Sequence, residues 1–273
     1  GGTPSLDKIG ARLEGLDALI FDMDHTLAKY KVRPIYALIY SSITEYLVEE
    51  RDFPRELLGV PFDHAFAAKG VIFDTTTGDM LKFSDKGKVV QACHGRKSWL
   101  SKHEIEHKYG GGAWAHFELL RSLKKGPFIA FHTYFDVPSV CILAAMVDIR
   151  DAKGGNYDFM GDFFDALEHT FNYTAFAKQR GGFFPAITAR PQDFLYRRDA
   201  VKGWLEALRL RGKRLLLVTN SHVDFSELVM QTAFGKGWRA LFDGIVFHAR
   251  KGGPFFGEKE HTPLLRLKHD SSA

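Results

Sequence analysis

Cysteine is scarce in this chain, in which only Cys93 and Cys141 occur among 273 residues. Two distant cysteines without a pairing pattern argue against a disulfide framework and a zinc cluster, and they indicate a reducing compartment. No charge-free apolar stretch approaches the roughly 18 residues of a membrane-spanning helix, and the N-terminus has no signal-peptide pattern. We therefore expect a cytoplasmic protein without a membrane span, or alternatively a mitochondrial matrix protein that has lost its presequence.

The chain also lacks any concentration of charge of one sign. Its net charge is +4 and its isoelectric point is near 8.9, which suits anionic substrates. Lysine and arginine are scattered rather than clustered, so nucleic-acid binding is only a weak alternative. Hydrophobic residues make up 45% of the sequence and charged residues 26%, a balance that indicates a globular protein with a sizeable core.

Two carboxylates one residue apart follow an apolar run near the N-terminus. Leu19, Ile20 and Phe21 predict a buried parallel strand, and Asp22 and Asp24 come directly after it. Side chains at positions i and i+2 of an extended segment point the same way, and the carboxyl edge of a parallel sheet is where α/β proteins bind ligands. The spacing therefore allows Asp22 and Asp24 to share one phosphoryl group and one divalent cation.

This pair has the residue types that phosphoryl transfer needs. Asp22 would be the nucleophile that accepts the phosphoryl group, while Asp24 would protonate the leaving alcohol and later activate water. Because neighbouring carboxylates repel each other, a cation is expected, and Mg²⁺ is the usual ion at phosphates, with Asp22 and Asp24 as its ligands. The alternative is a turn after a strand, with Asp24 or Thr26 capping the following segment.

The spacing of the apolar segments predicts an inserted domain. The next strongly apolar strand, Leu215–Val218, begins about 190 residues beyond the first, whereas a βαβ unit needs only about 30 residues. We therefore predict a core made of residues 1–30 and 196–273, with a cap domain at 31–195 inserted after the first strand.

Periodicity predicts the main elements of both domains. In the cap we expect a β-meander at 70–94 and helices at 34–51 and near 113–124, 137–150 and 158–178. In the core we expect helices at 198–210 and near 224–234, and a third strand at 244–247.

A series of motifs in a fixed order carries a family resemblance. The segments are FDMDHTLAKY (21–30), GVIFDTTTGDMLKFSDKGKVVQACHG (70–95), YFDVP (134–138), LLLVTNS (215–221) and FDGIVFHARKGGPFF (242–256). In these segments the chain resembles the haloacid dehalogenase superfamily of phosphohydrolases, and in particular the cytosolic 5'-nucleotidases and their nucleotidase-domain-containing relatives. The resemblance implies an α/β fold, with a Rossmann-like core, a parallel sheet and a large α+β cap inserted after the first strand.

The resemblance also assigns phosphate-binding residues after the second and third core strands. It implies that Thr219 and Asn220 bind phosphate and that Lys251 neutralises the charge of the aspartate and the phosphoryl group. From the residues alone, Thr219 or Ser221 could instead cap the following helix, and an isolated lysine is normally a solvated one.

Two further residues are assigned to the substrate. Phe135 and Asp136 match the cap position where nucleotidases stack the base and hydrogen-bond the nucleotide, although the best-known members have Asn where this chain has Asp136. An aromatic face beside a polar edge suits a nucleobase, but the change from amide to carboxylate puts a purine preference in doubt. The alternative is a core Phe135 with Asp136 capping a helix that begins with proline.

The resemblance implies one more acidic pair, after another strand, which residues 252–273 do not contain. Asp270 stands alone there, without a G-D-x-x-x-D spacing. Without this pair we expect a parallel sheet that is incomplete at its C-terminal strands and a poorer Mg²⁺ site. The first strand would then be a bare edge that a protein partner or a second polypeptide must cover. Three explanations are compatible with the missing pair: the sequence is a fragment of a longer protein, the remaining strands come from another polypeptide, or the protein is a remnant that docks in an assembly.

These observations predict a Mg²⁺-dependent phosphohydrolase of the 5'-nucleotidase type. It would act on nucleoside monophosphates or similar small phosphomonoesters through an aspartyl-phosphate. The alternative is a catalytically impaired, nucleotidase-like pseudoenzyme that serves as a structural subunit of a larger protein complex.

Overall fold

The computed structural model describes residues 13, 15–66, 68–110, 124–125 and 127–251. This part of the chain forms two compact units. The first unit contains the described residues up to Tyr30 and from Leu195 onward, and the second contains those from Lys31 to Phe194. Each unit has its own sheet.

Strands and helices are distributed over both units. The described strands are β1 (Ala18–Phe21), β2 (Val71–Asp74), β3 (Asp79–Phe83), β4 (Val89–His94), β5 (Ser98–Trp99), β6 (Lys124–Lys125), β7 (Phe128–Phe131), β8 (Arg214–Val218) and β9 (Gly244–Val246). The described α-helices are α1 (Val32–Glu50), α2 (Lys102–Tyr109), α3 (Val137–Lys153), α4 (Met160–Phe171), α5 (Tyr173–Ala177), α6 (Phe183–Ala189), α7 (Pro191–Phe194), α8 (Asp199–Leu210) and α9 (Val223–Phe234). Short 3₁₀ turns occur at Arg55–Gly59, Tyr134–Asp136 and Trp238–Leu241.

The described strands of the first unit form a parallel sheet with the order β1-β8-β9. Phe21 of β1 pairs with Leu217 of β8, and Val218 of β8 pairs with Val246 of β9. Leu215 and Leu217 are fully buried, as a leucine-rich parallel strand predicts. Because the strands are parallel, their carboxyl ends lie at one edge of the sheet, which brings the segments after Phe21, Val218 and Val246 close together.

β1 is less buried than its apolar sequence predicts. Leu19 and Phe21 are half-buried, but Ile20 is 66% exposed. The prediction of a buried strand is therefore wrong for Ile20, because little of the described chain packs on the face of the sheet that carries this side chain. Alternate residues of a strand face opposite sides, so Ile20 faces away from the side of Leu19 and Phe21.

The described strands of the second unit form an antiparallel sheet with the order β5-β4-β3-β2-β7-β6. β2, β3 and β4 confirm the β-meander predicted at 70–94. In the turn between β2 and β3, the Gly78 amide donates to the Asp74 carbonyl at 2.8 Å, and Gly78 has a φ of 73°, a conformation that favours glycine. With one parallel and one antiparallel sheet, the described chain has the α/β class that the sequence predicts.

Helices of the second unit supply much of its apolar core. α1 confirms the helix predicted at 34–51, and it packs against α3 and α4. Its Ile35, Ile39 and Ile43 are fully buried, and burial of such a side chain stabilises the fold by about 1.5–3 kcal/mol. No helix in the described ranges is long and apolar enough to cross a membrane.

The single helix predicted at 158–178 is wrong in one respect, since α4 and α5 are separate helices. Asn172 separates them with an extended backbone (φ −70°, ψ 157°), and its side chain accepts a hydrogen bond from the Ala175 amide at 2.6 Å. Asparagine competes for backbone hydrogen bonds in this way and begins a new helix. The helix predicted at 113–124 lies outside the described residues except for Lys124, which belongs to β6.

A buried carboxylate at the start of β3 links several elements of the second unit. Asp79 is fully buried and accepts hydrogen bonds from Lys108 at 2.6 Å, Tyr109 at 2.6 Å and the Nδ1 of His94 at 2.9 Å. The His94 Nε2 contacts Asp151 of α3 at 2.8 Å. Burial opposes the charge of Asp79, but these hydrogen bonds outweigh it and lower the pKa of the carboxyl group. The network joins β3 and β4 to α2 and α3.

His94 makes the stability of the second unit depend on pH. Burial lowers the pKa of His94, but its hydrogen bonds to Asp79 and Asp151 outweigh burial and raise the pKa above the ordinary value of 6.5. The stabilisation by the protonated ring is therefore complete below pH 6.5 and is lost as pH rises through the raised folded-state pKa. We expect the difference in unfolding free energy between wild type and His94→Gln, from urea titrations at several pH values, to shrink as pH rises. A difference independent of pH would contradict this assignment.

Candidate active site

The segment after β1 forms a tight turn around the carbonyl group of Met23. That carbonyl accepts a hydrogen bond from the Ala28 amide at 2.9 Å, and the Met23 side chain is fully buried. His25 in this turn has a φ of 54°, a left-handed conformation that is uncommon for residues other than glycine and concentrates at functional sites. The turn holds Asp22 and Asp24 at the carboxyl end of β1.

Asp22 forms an ion pair with a lysine from the segment after β9. The Lys251 Nζ lies 2.6 Å from the Asp22 Oδ1, and it also donates to the Val218 carbonyl at 3.2 Å. The same Oδ1 accepts a hydrogen bond from the Met23 amide at 2.7 Å. The backbone amide of Lys251 donates to the Asn220 Oδ1 at 2.8 Å, so the loop after β8 fixes the loop that carries the lysine.

Both oxygens of Asp24 accept hydrogen bonds from hydroxyl groups. Tyr30 donates to Oδ1 at 2.7 Å, and Ser221 donates to Oδ2 at 2.7 Å. Burial is the main cause of a raised Asp24 pKa; the two hydrogen bonds oppose it, and the charge of Asp22 adds to it. Asp24 therefore keeps a proton at higher pH than an ordinary aspartate.

Thr219 and Asn220 hold the backbone at the end of β8. Thr219 is fully buried, its amide donates to the Val246 carbonyl at 2.9 Å, and its Oγ1 accepts from the Ser221 amide at 3.1 Å. α9 begins after His222, which makes no side-chain cap. The hydroxyl of Thr219 therefore stabilises the turn before the helix, while Asn220 is exposed and binds the backbone of the lysine loop.

The loop after β9 has a constrained backbone. His248 and Arg250 have φ values of 48° and 53°. The His248 ring stacks on His222 with centroids 4.3 Å apart, and its Nε2 accepts a hydrogen bond from the Arg250 Nε at 3.0 Å. The His248 amide also donates to the Ser221 carbonyl at 3.0 Å. These contacts fix the backbone directly before Lys251.

Phe135 and Asp136 belong to the second unit. Both are half-buried. The Phe135 ring packs edge-on against Phe171, with centroids 6.5 Å apart. The Asp136 Oδ2 accepts hydrogen bonds from the amides of His132 and Thr133 at 3.1 and 2.8 Å. Asp136 thus stabilises the turn that precedes α3.

Of the residues predicted from the sequence, the structure brings together Asp22, Asp24 and Lys251, and Asn220 binds the backbone of Lys251. Thr219 is buried at the end of β8, next to Asn220.

The structure adds Tyr30 and Ser221, which the sequence analysis does not assign to the site. Ser221 directly follows the two predicted phosphate-binding residues, but on sequence grounds it is only a candidate helix cap. Tyr30 is the last residue of the first motif, where an aromatic residue gives no sign of a polar contact.

The donor types at the end of β1 suit a hard cation. Asp22 and Asp24 offer carboxylate oxygens, which Mg²⁺ prefers. Within the described ranges there is no group of three or more His, Cys, Asp or Glu side chains that could hold a metal ion. A cation bound by this pair would complete its coordination with water or with phosphate oxygens.

Fold and site together define an α/β protein with paired carboxylates at the carboxyl edge of its parallel strands. Residues 10–273 match the family described as the 5' nucleotidase family, and the chain belongs to that family. This confirms the relationship predicted from the sequence motifs.

Curated relatives carry the same domain in their names. The chain is 33% identical over 265 residues to the 5'-nucleotidase domain-containing protein 1 of Homo sapiens, a match that covers 94% of this chain and 58% of the human protein. It is 26% identical over 265 residues to the 5'-nucleotidase domain-containing protein 2 of Rattus norvegicus, and this match covers 95% of this chain and 46% of the rat protein. The chain therefore spans about half the length of these relatives.

Proposed function

We propose that this chain is a Mg²⁺-dependent phosphohydrolase of the 5'-nucleotidase type. The observation that carries the proposal is the placement of Asp22 and Asp24 at the carboxyl end of β1, with Lys251 paired to the first and two hydroxyl groups bound to the second. In this proposal the first unit is a haloacid dehalogenase-like core, and the second unit is its cap.

In the first step Asp22 attacks the phosphorus atom of the ester. Its Oδ1 is held by Lys251 and the Met23 amide, so Oδ2 is the attacking oxygen. The new bond joins this oxygen to phosphorus while the bond from phosphorus to the leaving oxygen breaks. Asp24 gives its proton to that leaving oxygen, which departs as an alcohol.

In the second step water hydrolyses the aspartyl-phosphate. The carboxylate of Asp24 takes a proton from the water molecule as the water oxygen bonds to phosphorus, and the bond between Asp22 and phosphorus breaks. Phosphate leaves, and both carboxyl groups return to their starting states.

Charge on the phosphoryl oxygens is stabilised by groups at the carboxyl edge of the sheet. Lys251 supplies a positive charge beside Asp22. The side-chain Nδ2 of the exposed Asn220 can donate to a phosphate oxygen. Thr219 is fully buried and accepts from the Ser221 amide, so it would support the phosphate-binding loop and would donate to a phosphate oxygen only if the loop opened. Mg²⁺, held by Asp22 and Asp24, would neutralise further negative charge on the phosphate.

The family and two residues of the second unit support the proposed substrate class. Nucleoside monophosphates are the proposed substrates, with Phe135 stacking on the base and the Asp136 Oδ1 accepting a hydrogen bond from it. Because the Asp136 Oδ2 is bound to two backbone amides, the carboxylate has a fixed orientation. A carboxylate acceptor favours bases that present an N–H donor at this position.

Phosphate release from a panel of nucleoside monophosphates and simple phosphomonoesters tests the proposal. We expect release with Mg²⁺ and none after chelation with EDTA. Lys251→Met should lower kcat by roughly 10²–10³-fold, because charge stabilisation at the phosphoryl group is lost. Lys236→Met, at an exposed position, is the matched control and should keep wild-type activity. A wild-type chain that releases phosphate from no compound of the panel would refute the proposal.

One observation favours a second candidate, a nucleotidase-like pseudoenzyme that acts as a subunit of a complex. β1 pairs only with β8 among the described strands and exposes Ile20, and an unpaired strand edge can add a strand from another polypeptide. This candidate predicts a wild-type chain that releases no phosphate and associates with a partner through β1. Phosphate release from wild type that Asp22→Asn abolishes would exclude it.

A further inference from the structure

The two hydroxyl groups that bind Asp24 differ in their freedom to move. Tyr30 donates to Oδ1 and is 1% exposed, whereas Ser221 donates to Oδ2 and is half-buried. A serine hydroxyl rotates about one bond and can either donate or accept. The phenol of a buried tyrosine moves only with its ring, so the two oxygens of Asp24 have unlike partners.

Tyr30 is held by its backbone and by its ring. It forms an antiparallel bridge with Leu195, and the Tyr196 amide donates to the Lys29 carbonyl at 2.9 Å next to this bridge. The Tyr30 ring lies against His25, with centroids 4.9 Å apart. Side chains locked by packing and by neighbouring backbone can hold a reacting group in one geometry.

The phenol is held close to one oxygen of Asp24. Its hydroxyl lies 2.7 Å from Oδ1 and the tyrosine is buried, so this oxygen keeps its donor. Oδ2 is the oxygen whose partner, the Ser221 hydroxyl, can turn away or reverse its role.

We propose that Tyr30 is a positioning residue that orients Asp24 for proton transfer through Oδ2. Its hydrogen bond to Oδ1 fixes the plane of the carboxyl group, so that the proton on Oδ2 moves to the leaving oxygen as the bond from that oxygen to phosphorus breaks. In the second step Oδ2 takes a proton from the attacking water. The Ser221 hydroxyl rotates so that it donates to Oδ2 when this oxygen is unprotonated and accepts from it when it is protonated. This inference rests on the proposed phosphohydrolase function.

The dependence of the rate on the leaving group tests this role. A nucleoside monophosphate releases a poorly stabilised alkoxide and needs the proton, whereas p-nitrophenyl phosphate releases a stable phenolate and needs it little. We expect Tyr30→Phe to lower kcat for the nucleotide roughly 10- to 100-fold and for p-nitrophenyl phosphate by less than about threefold, with KM unchanged. The ratio of the two rates in one preparation does not depend on how much of the protein is folded.

Tyr40→Phe is the matched control. Tyr40 is a buried tyrosine of the second unit whose hydroxyl donates to the Val60 carbonyl at 3.0 Å, so the variant loses a comparable hydrogen bond away from Asp24. It should leave the ratio of the two rates at the wild-type value. Equal losses on both substrates in Tyr30→Phe, or no loss on either, would overturn the positioning role while leaving the phosphohydrolase function intact. A wild type inactive on both substrates would overturn both proposals.

Discussion

Replacement of Asp22 by Asn is expected to reduce phosphate release at least about 10³-fold. The amide has nearly the shape of the carboxylate, but it is a poor nucleophile and carries no charge to pair with Lys251, which lies 2.6 Å from Oδ1. The variant should also fail to trap a phosphoryl group on the chain. Colorimetric phosphate release gives the rate, and mass spectrometry after acid quenching detects the phosphorylated protein.

Asp17→Asn is the control for this experiment. Asp17 is an exposed aspartate directly before β1, so the same chemical change there should leave turnover and phosphoryl trapping at wild-type levels. If Asp22→Asn keeps wild-type turnover, or still carries a phosphoryl group, another residue is the nucleophile and the proposed mechanism is wrong.

Replacement of Asp79 by Ala is expected to lower the unfolding free energy of the second unit by about 3 kcal/mol. The variant removes the acceptor that the Lys108 cation and the Tyr109 hydroxyl share, although Tyr109 keeps a longer contact with Asp74 at 3.3 Å. It also removes one of the two carboxylates that contact His94. Lys108 and His94 are themselves 36% and 29% exposed, so water can partly replace the lost contact. The expected loss of unfolding free energy therefore lies at the lower end of the range for broken buried ion pairs. Urea titration followed by circular dichroism measures the change.

Asp151 provides an internal comparison for Asp79. It contacts the other nitrogen of the same imidazole at 2.8 Å, but its side chain is 39% exposed. Asp151→Ala should therefore cost less than about 1 kcal/mol, as is usual for solvated ion pairs. Equal losses of unfolding free energy in Asp79→Ala and Asp151→Ala would show that the burial of Asp79 does not decide how much these hydrogen bonds stabilise the second unit.

Local patterns in the sequence predict the strands and the acidic pair well. Apolar residues before Asp22 predict β1, and alternation around Gly78 predicts the meander, because the strand period and the turn conformation depend on nearby residues. The sequence analysis expects the first strand to be an edge, but the exposure of Ile20 could not be predicted from local pattern, since it depends on what packs on that face of the sheet. The break at Asn172 depends on one side chain that accepts from the Ala175 amide in competition with the helix.

The polar contacts of the candidate site depend on residues far apart in sequence. Ser221 binds Asp24, and Lys251 pairs with Asp22, but neither contact follows from a spacing that a single sequence displays. Tyr30 is close to Asp24 in sequence, but its hydroxyl reaches the carboxylate only because the intervening turn folds back around Met23. The sequence indicates the chemical types at the site, and the turn geometry decides which atoms meet.

The first unit is assembled from two stretches of chain that are separated by the whole second unit. A ribosome therefore synthesises Asp22 long before Lys251, and the ion pair cannot form until β9 and the loop after it have emerged. The ends of the second unit are adjacent, since the Lys31 amide donates to the Phe194 carbonyl at 2.7 Å. Folding of the second unit during synthesis thus closes the long loop in advance and reduces the entropy that the first unit must lose to complete its sheet.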